Sequence, residues 1–216
     1  MIFDIDGTLV DSFSAYYSAF NKGINQYKLG PVSREFLINC LKRGLGLAEI
    51  IRKILPSYLD ESIIEKCKEK ILKLFLKVEG DEVNPFPGIN ELFRDLKDRG
   101  IKIGVATGRM SRSEDEWRRF KRFGLDGFID TIVTSKEVKR RKPKPDAIIE
   151  CAKRLNVPVE ECLVVGDTEP DVIAARKAGA IPAAVTTGQD SIDLLMKEKP
   201  EYVFRNLNDL IISLKE

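Results

Sequence analysis

The second half of the chain alternates between two patterns of hydrophobic and polar positions. Short apolar runs of strand length lie at 101–106, 128–133, 162–166, 181–185 and 202–204. Longer segments of helix length, with mixed polar and apolar faces, separate them at 88–99, 111–123, 145–155, 170–178 and 206–214. Strands that alternate with helices, mostly without hairpin turns, are typical of a parallel sheet covered on both faces. The pattern therefore predicts an α/β fold.

The first part of the chain has a different pattern, in which apolar residues recur at three- and four-residue spacing with almost no strand signal. Such stripes favour packing into a helical core, with a substrate pocket as the alternative. We predict an all-helical insertion at 14–79 within a core formed by 1–13 and 80–216. Residues 80–88, which contain two prolines, are predicted as the return linker. The stripes consist of Phe13, Tyr16, Tyr17 and Phe20, and of Ile63, Ile64, Cys67, Ile71, Leu74 and Phe75.

Polar residues follow several predicted strands. Asp4 comes directly after the apolar residues 1–3, and Asp167 follows the run at 162–166. The carboxyl ends of parallel strands meet at one edge of a sheet, so these two carboxylates are expected beside each other. Carboxylates this close repel unless a cation lies between them, and Mg²⁺ prefers such oxygen ligands. Thr107 ends a further run, so its hydroxyl, a hydrogen-bond donor, is expected at the same edge.

These residues belong to four short motifs: D-I-D-G-T at 4–8, T-G-R at 107–109, K-P-K-P at 142–145 and G-D-T-E-P-D at 166–171. In order, spacing and context, the four resemble motifs I to IV of the haloacid dehalogenase (HAD) superfamily. The resemblance covers nearly the whole chain and is greatest to the phosphoglycolate phosphatase-like branch. It implies a Rossmann-like parallel sheet core with helices on both faces and an inserted all-helical cap that closes over the active site.

The resemblance also implies roles for individual residues. Asp4 would be the nucleophile that forms an aspartyl-phosphate, and Asp6 would be the general acid and then the general base for water. Lys142 would face the nucleophile and the phosphoryl oxygens and stabilise the transition state. Asp4, the backbone carbonyl of Asp6, and Asp167 would bind Mg²⁺. Asp171 would hold a coordinated water, with charge complementarity to a helix N-terminus as the alternative.

The expected substrate contacts are the Thr107 hydroxyl, the Gly108 amide and Lys142. A contact from the insertion is also expected at Arg43, within the glycine-flanked basic segment 41–46, where it would meet an anionic group of the substrate. The alternative for that segment is an inter-helix turn with solvated charges. Arg109 has no assigned role, because substrate binding and a structural or exposed position fit the sequence equally well.

Composition narrows the choice of function. The 216 residues carry 36 Lys and Arg against 34 Asp and Glu, so a net charge of +2 creates no field that would draw the whole protein onto a membrane or nucleic acid. No histidine is present, so any acid or base must be another residue type. No apolar run approaches the roughly 20 residues of a membrane span, and no secretory signal pattern is recognisable. A cytoplasmic location is expected, with four reduced, packed cysteines.

The predicted activity is a Mg²⁺-dependent phosphatase acting on a small phosphomonoester. Asp6 argues against a dehalogenase, because the dehalogenases of the family lack an aspartate two residues after the nucleophile. A β-phosphoglucomutase-like phosphotransferase is an alternative, although the mutase cap typically contributes a histidine. An alternative of another class is a polyanion or nucleic-acid binding module that uses the basic patch at 139–144. Neither the phosphorylated substrate nor the choice between monomer and homodimer follows from the sequence.

Overall fold

A computed structural model describes residues 1–27, 30–42, 45–56, 60–81, 83–188 and 192–214. The chain divides into two compact units. The first, called the core unit here, contains Met1–Asp11 and Asn84–Glu216, and the second, the helical unit, contains Ser12–Val83. That the helical unit acts as a cap over a substrate stays a prediction.

The core unit contains a six-stranded sheet in which every neighbouring pair of strands is parallel. The strand order is β3-β2-β1-β4-β5-β6, which confirms the predicted α/β fold. The third strand of the order, β1, is central and very short. The strands are β1 (Ile2–Phe3), β2 (Gly104–Thr107), β3 (Thr131–Thr134), β4 (Leu163–Gly166), β5 (Ile181–Val185) and β6 (Tyr202–Phe204).

Ten α-helices lie within the residues that the structure describes. The helical unit contains α1 (Ser12–Asn25), α2 (Arg34–Lys42), α3 (Leu47–Ile54) and α4 (Glu61–Asp81). The core unit contains α5 (Ile89–Asp98), α6 (Ser113–Arg122), α7 (Asp146–Leu155), α8 (Glu169–Ala178), α9 (Ile192–Lys197) and α10 (Leu207–Ser213).

Both faces of the sheet are buried, as successive residues of β1 show. Ile2 packs into an apolar cluster that includes Ile148 of α7 and Ala175 of α8. The next residue, Phe3, points to the other face, where its ring lies 5.5 Å from that of Phe93 on α5. Neighbouring side chains of a strand point to opposite faces, so helices must cover both. Polar side chains can therefore project from the ends of the strands, where the helices do not cover the sheet.

The helical unit has an apolar core of its own. At one point α1 and α4 approach closely, because a Cβ built on Gly23 would lie only 2.3 Å from the side chain of Ile71. Most residues of the predicted stripes are buried or half-buried in this core. Its buried members are Phe20, Ile24, Leu37, Cys40, Ile50, Ile51, Leu55, Ile64, Cys67 and Ile71.

Some details differ from the sequence-based expectation. The predicted linker 80–88 starts too early, because α4 continues to Asp81 and the units divide between Val83 and Asn84. Asn84 disfavours a helical backbone, since it precedes Pro85. The strand predicted at 101–106 begins only at Gly104, because the backbone N–H of Ile103 bonds to the side chain of Asp130 instead of a strand.

The four cysteines Cys40, Cys67, Cys151 and Cys162 are buried free thiols, as predicted. Among the described residues, the longest helices are too short or too polar to cross a bilayer.

Candidate active site

The predicted site residues lie where the strand order of the sheet reverses. From β1 the chain builds β2 and β3 on one side, then crosses to β4, β5 and β6 on the other. Open α/β sheets bind ligands in the crevice at the carboxyl ends of strands at such a point. Asp4 directly follows β1, Thr107 ends β2, and Asp167 directly follows β4. The topology therefore brings three of the four motifs to one edge of the sheet.

The chain reverses sharply after β1. Gly7 has a φ of +81°, a left-handed backbone that favours glycine. Its N–H donates to the Val10 carbonyl at 2.9 Å, and the N–H groups of Leu9 and Val10 both donate to the Ile5 carbonyl. This tight loop directs the next side chain inward, where the Thr8 hydroxyl donates to the Asp167 carboxylate at 2.9 Å. The loop after β1 thereby positions an acidic residue that follows β4.

Three buried carboxylates converge at this edge. Oxygens of Asp4, Asp167 and Asp171 lie within 4.8 Å of one another. The Lys142 ammonium donates to Asp4 at 2.8 Å, to Asp171 at 2.6 Å and to the Ala106 carbonyl at 2.7 Å. With three carboxylates facing one ammonium, the ionised cluster is net negative. A hard divalent cation such as Mg²⁺ fits this donor set.

Burial and charge set the protonation of the cluster. Burial raises the pKa of Asp4 to about 7, and Lys142 only partly offsets that effect. Burial by itself lowers the pKa of Lys142, but the carboxylates of Asp171 and Asp4 raise it above its ordinary value. Lys142 is therefore a permanent cation. Asp4 requires further positive charge beside it to be fully ionised at neutral pH.

Asp171 is fully engaged by protein donors. One carboxylate oxygen accepts from Lys142, and the other accepts from the Thr168 backbone N–H at 3.1 Å and the Thr168 hydroxyl at 2.5 Å. The bond from the Thr168 backbone N–H is part of the capping box at the start of α8. Gly166 allows the close approach, because a Cβ there would lie 2.3 Å from the Asp171 Cβ. Because its oxygens are bonded to protein donors, Asp171 fits the predicted role of holding a metal-coordinated water. It also caps the N-terminus of α8, which is the alternative role.

Asp167 is enclosed by two glycines that sequence reasoning did not connect with it. A Cβ on Gly7 would lie 2.2 Å from an Asp167 carboxylate oxygen, and a Cβ on Gly188 only 1.7 Å from it. The loop carrying Gly188 is tied to the first loop, because the Thr187 hydroxyl donates to the Gly7 carbonyl at 2.6 Å. The one available signal was that Gly188 follows β5, at the same edge of the sheet.

Thr107 is almost fully buried, with 1 % of its surface exposed. Since Phe3 pairs with Val105, Thr107 lies one residue farther along the sheet than Asp4. Beside it, no described atom lies within 4 Å of a Cβ built on Gly108, so this stretch of backbone is open to an approaching group. Arg43 lies outside the described residues, so its predicted substrate contact stays a prediction.

Asp6 has a partner that the sequence left open. The Arg109 side chain donates from Nε to one Asp6 oxygen at 2.6 Å and from Nη2 to the other. This is the bidentate geometry of a strong arginine–carboxylate pair. The arginine is 13 % exposed and the aspartate side chain 37 %. The sequence left open whether Arg109 binds substrate or has a structural or exposed position. The structure shows that it contacts Asp6, a proposed catalytic residue.

Comparison with known proteins agrees with the motifs. The model of the family described as haloacid dehalogenase-like hydrolase matches residues 1–185. The chain belongs to this family. The predicted family and the prediction of an enzyme are thereby confirmed.

Among sequence relatives of this hydrolase is pyrophosphatase PpaX of Halalkalibacterium halodurans, which is 28% identical over 98% of this chain and 94% of the relative. Pyrophosphatase PpaX of Bacillus mycoides is 29% identical over the same shares. A solved structure of a predicted phosphoglycolate phosphatase from Haemophilus somnus has a TM-score of 0.82 at 20% identity, covering 100% of this chain and 96% of that one. A haloacid dehalogenase-like family protein from Streptococcus pneumoniae has a TM-score of 0.79 at 20% identity, covering 99% and 96%. These two structures share the fold.

The basic patch of this haloacid dehalogenase-like hydrolase is not a uniform cationic surface. Lys142 is turned inward, with 8 % of its side chain exposed. Arg140 forms an ion pair with Asp146 at 2.9 Å. Lys142 is therefore inaccessible to a polyanion, and Arg140 is already paired with a carboxylate of the same chain.

Proposed function

We propose that this protein is a Mg²⁺-dependent phosphatase that hydrolyses a small phosphorylated metabolite through an aspartyl-phosphate on Asp4. The observation that carries the proposal is the buried Asp4 carboxylate, held by Lys142 at 2.8 Å beside Asp167. A surface carboxylate would not require such an arrangement. Pyrophosphate belongs among the candidate substrates because two relatives are named pyrophosphatases.

In this proposal Asp4, the backbone carbonyl of Asp6, and Asp167 bind Mg²⁺. The donors are oxygens only, and the cluster is net negative and buried, as a Mg²⁺ site requires. When bound, the ion supplies positive charge that lowers repulsion between the carboxylates and a phosphate. Thr8, Gly7 and Gly188 keep the Asp167 carboxylate in place.

The remaining chemistry is assigned to side chains of this chain. An Asp4 oxygen attacks phosphorus, and the bond between phosphorus and the leaving oxygen breaks. Asp6, after it has taken up a proton and turned one oxygen away from Arg109, donates that proton to the leaving oxygen. Asp6 then takes a proton from a water that attacks the phosphoryl group and releases Asp4. Lys142 stabilises the negative charge that develops on the transferred group, and Thr107 and Gly108 donate hydrogen bonds to its oxygens.

The two alternatives have less support. A phosphotransferase of the β-phosphoglucomutase type typically uses a cap histidine, and this sequence contains none. A polyanion-binding module would leave its basic residues accessible, whereas Lys142 is enclosed by Asp4 and Asp171. A cytoplasmic location of the protein stays a prediction.

The test is phosphate release by the purified protein from a panel of phosphorylated metabolites that includes pyrophosphate and phosphoglycolate. We expect turnover with Mg²⁺ and none in excess EDTA. Lys142→Ala should reduce kcat/KM by about 1,000-fold or more, because it removes the charge that faces the transferred group. Arg140→Ala, in the exposed ion pair of the same segment, is the matched control and should change little. Full turnover in EDTA, or equal effects of the two substitutions, would contradict the proposal.

A further inference from the structure

The contact between Arg109 and Asp6 continues on the far side of the arginine. Arg109 Nη1 lies 3.8 Å from a carboxylate oxygen of Glu116, on α6. The guanidinium is thus placed between two carboxylates, one at the proposed site and one behind it. Arg109 follows β2 by two residues, so its backbone is fixed close to the sheet.

Glu116 is buried and is bonded by several neighbouring side chains. It is a buried carboxylate with 0% exposure, whereas Glu114 of the same helix is exposed and Asp115 is half-buried. The Ser111 hydroxyl donates to it at 2.5 Å, and Arg119 pairs with its other oxygen. A buried carboxylate costs free energy unless it is paired and hydrogen-bonded, as here. Glu116 therefore holds the segment that follows β2 in one conformation.

The position of Arg109 has a consequence for the substrate. The acid that protonates a leaving oxygen must lie within hydrogen-bond reach of it. Arg109 bonds both oxygens of Asp6. Once Asp6 is protonated to act as the acid, it no longer offsets the positive charge of Arg109, which then lies beside the same leaving group. A leaving group that is uncharged in the substrate gains from that charge only as the bond breaks. A leaving group that is itself an anion, such as a second phosphate, gains from it both in binding and as the bond breaks.

We infer that Arg109 contacts the leaving group and favours substrates in which this group is anionic, as in a phosphoanhydride, and that Glu116 is the positioning residue that holds Arg109. The inference rests on the proposed function. When the bond between phosphorus and the bridging oxygen breaks, its electron pair stays on that oxygen and the departing phosphate gains negative charge. The Arg109 guanidinium stabilises this charge. An alkoxide leaving group would instead need the proton of Asp6.

The test compares pyrophosphate with p-nitrophenyl phosphate. Both have easily departing groups, and they differ in the charge that the leaving group carries before the bond breaks, which is negative only in pyrophosphate. Arg109→Gln should lower kcat/KM for pyrophosphate about 100-fold and for p-nitrophenyl phosphate less than about 10-fold. Glu116→Gln should act in the same direction more weakly, and Arg109→Lys should restore part of the pyrophosphate activity. Arg118→Gln, in an exposed ion pair on the same helix, is the control and should change neither rate.

A binding measurement separates this inference from the proposed function. In an Asp4→Asn protein with Mg²⁺, calorimetry should show that Arg109→Gln weakens pyrophosphate binding about tenfold or more and orthophosphate binding less than about threefold. If this binding result were obtained but the wild-type protein hydrolysed no substrate, the role of Arg109 would be supported and the proposed phosphatase activity would be contradicted. Equal losses for the two ligands, or for the two substrates above, would overturn the inference, because Arg109 would then only orient Asp6 or stabilise the fold.

Discussion

The core unit and the helical unit bury different kinds of residue. Of the ten buried polar or charged residues in the described part of the chain, nine lie in the core unit and only Ser12 lies in the helical unit. The nine are Asp4, Thr8, Thr107, Glu116, Thr131, Thr134, Ser135, Asp167 and Asp171. The other described buried side chains of the helical unit are apolar, as in its cluster around Phe20 and Ile71.

This difference teaches how each unit uses burial. Enclosing an apolar side chain stabilises the fold in proportion to the area removed from water. Enclosing a carboxylate costs free energy that only a partner, a hydrogen bond or a cation offsets. The core unit accepts that cost at the edge of its sheet, where Asp4, Asp167 and Asp171 meet. A substitution should therefore damage stability in the helical unit and chemistry at the carboxylate cluster.

The largest expected effect is on the stability of the helical unit. Ile71 is fully buried and packs against Gly23. Ile71→Ala should lower the free energy of unfolding by about 3 kcal/mol, because it removes buried methyl groups and leaves a cavity. Ile71→Val, which removes one methylene, should cost about 1 kcal/mol. Urea denaturation followed by circular dichroism measures both, and equal stability of the two variants would contradict the packing described here.

A somewhat smaller effect is expected from one methyl group beside the carboxylate cluster. Gly188→Ala would place a Cβ against the Asp167 carboxylate, so the loop or the carboxylate must move. We expect kcat/KM to fall about 100-fold and the Mg²⁺ concentration for half-maximal activity to rise, because the carboxylate that would bind the ion is displaced. The control is Gly127→Ala, since no described atom lies within 4 Å of that position and its φ is not positive. Similar activities of the two variants would remove Gly188 from the site.

A still smaller effect concerns pH and the stability of the metal-free protein. The pKa of folded Asp4 is raised to about 7 from its ordinary 3.8, so the folded state binds more protons than the unfolded state between these values. Stability should therefore fall as pH rises through this window and change no further from this group above it. Asp4→Asn removes the ionisable carboxyl group and with it this pH-dependent loss of stability. Relative to wild type in EDTA, the variant should gain about 2 kcal/mol between pH 5 and pH 8, measured by urea denaturation. A difference that is independent of pH would contradict the raised pKa.

Much of the fold follows from the sequence for a physical reason. A strand buried on both faces must be a continuous apolar run, so β4 and β5 can be located within a residue. The residue that follows such a strand must lie at the sheet edge, which is why Asp167 and Thr107 are recognisable. Short elements are harder to predict. The six-residue helix Ile192–Lys197 was not expected, because so short a segment shows too little periodicity.

The rest of the site depends on contacts between segments far apart in the chain. Nothing in the letters around Arg109 indicates that its guanidinium reaches Asp6, 103 positions away. The same holds for Gly188, whose closeness to Asp167 depends on how the loop after β5 folds back onto the loop after β1. Motif spacing identifies which strand ends carry reactive groups. Side-chain pairing between those ends requires the three-dimensional structure.

The central claim is that Asp4 carries the phosphoryl group, and a rapid acid quench tests it most directly. The protein is mixed with the best substrate of the panel, labelled in the transferable phosphoryl group, and label bound to denatured protein is counted. Wild type and Asp6→Asn should become labelled, the latter with a substrate whose leaving group needs little protonation, and Asp4→Asn should not. Asp4→Asn protein that became labelled to the wild-type level would contradict the account, since another residue would then be the nucleophile.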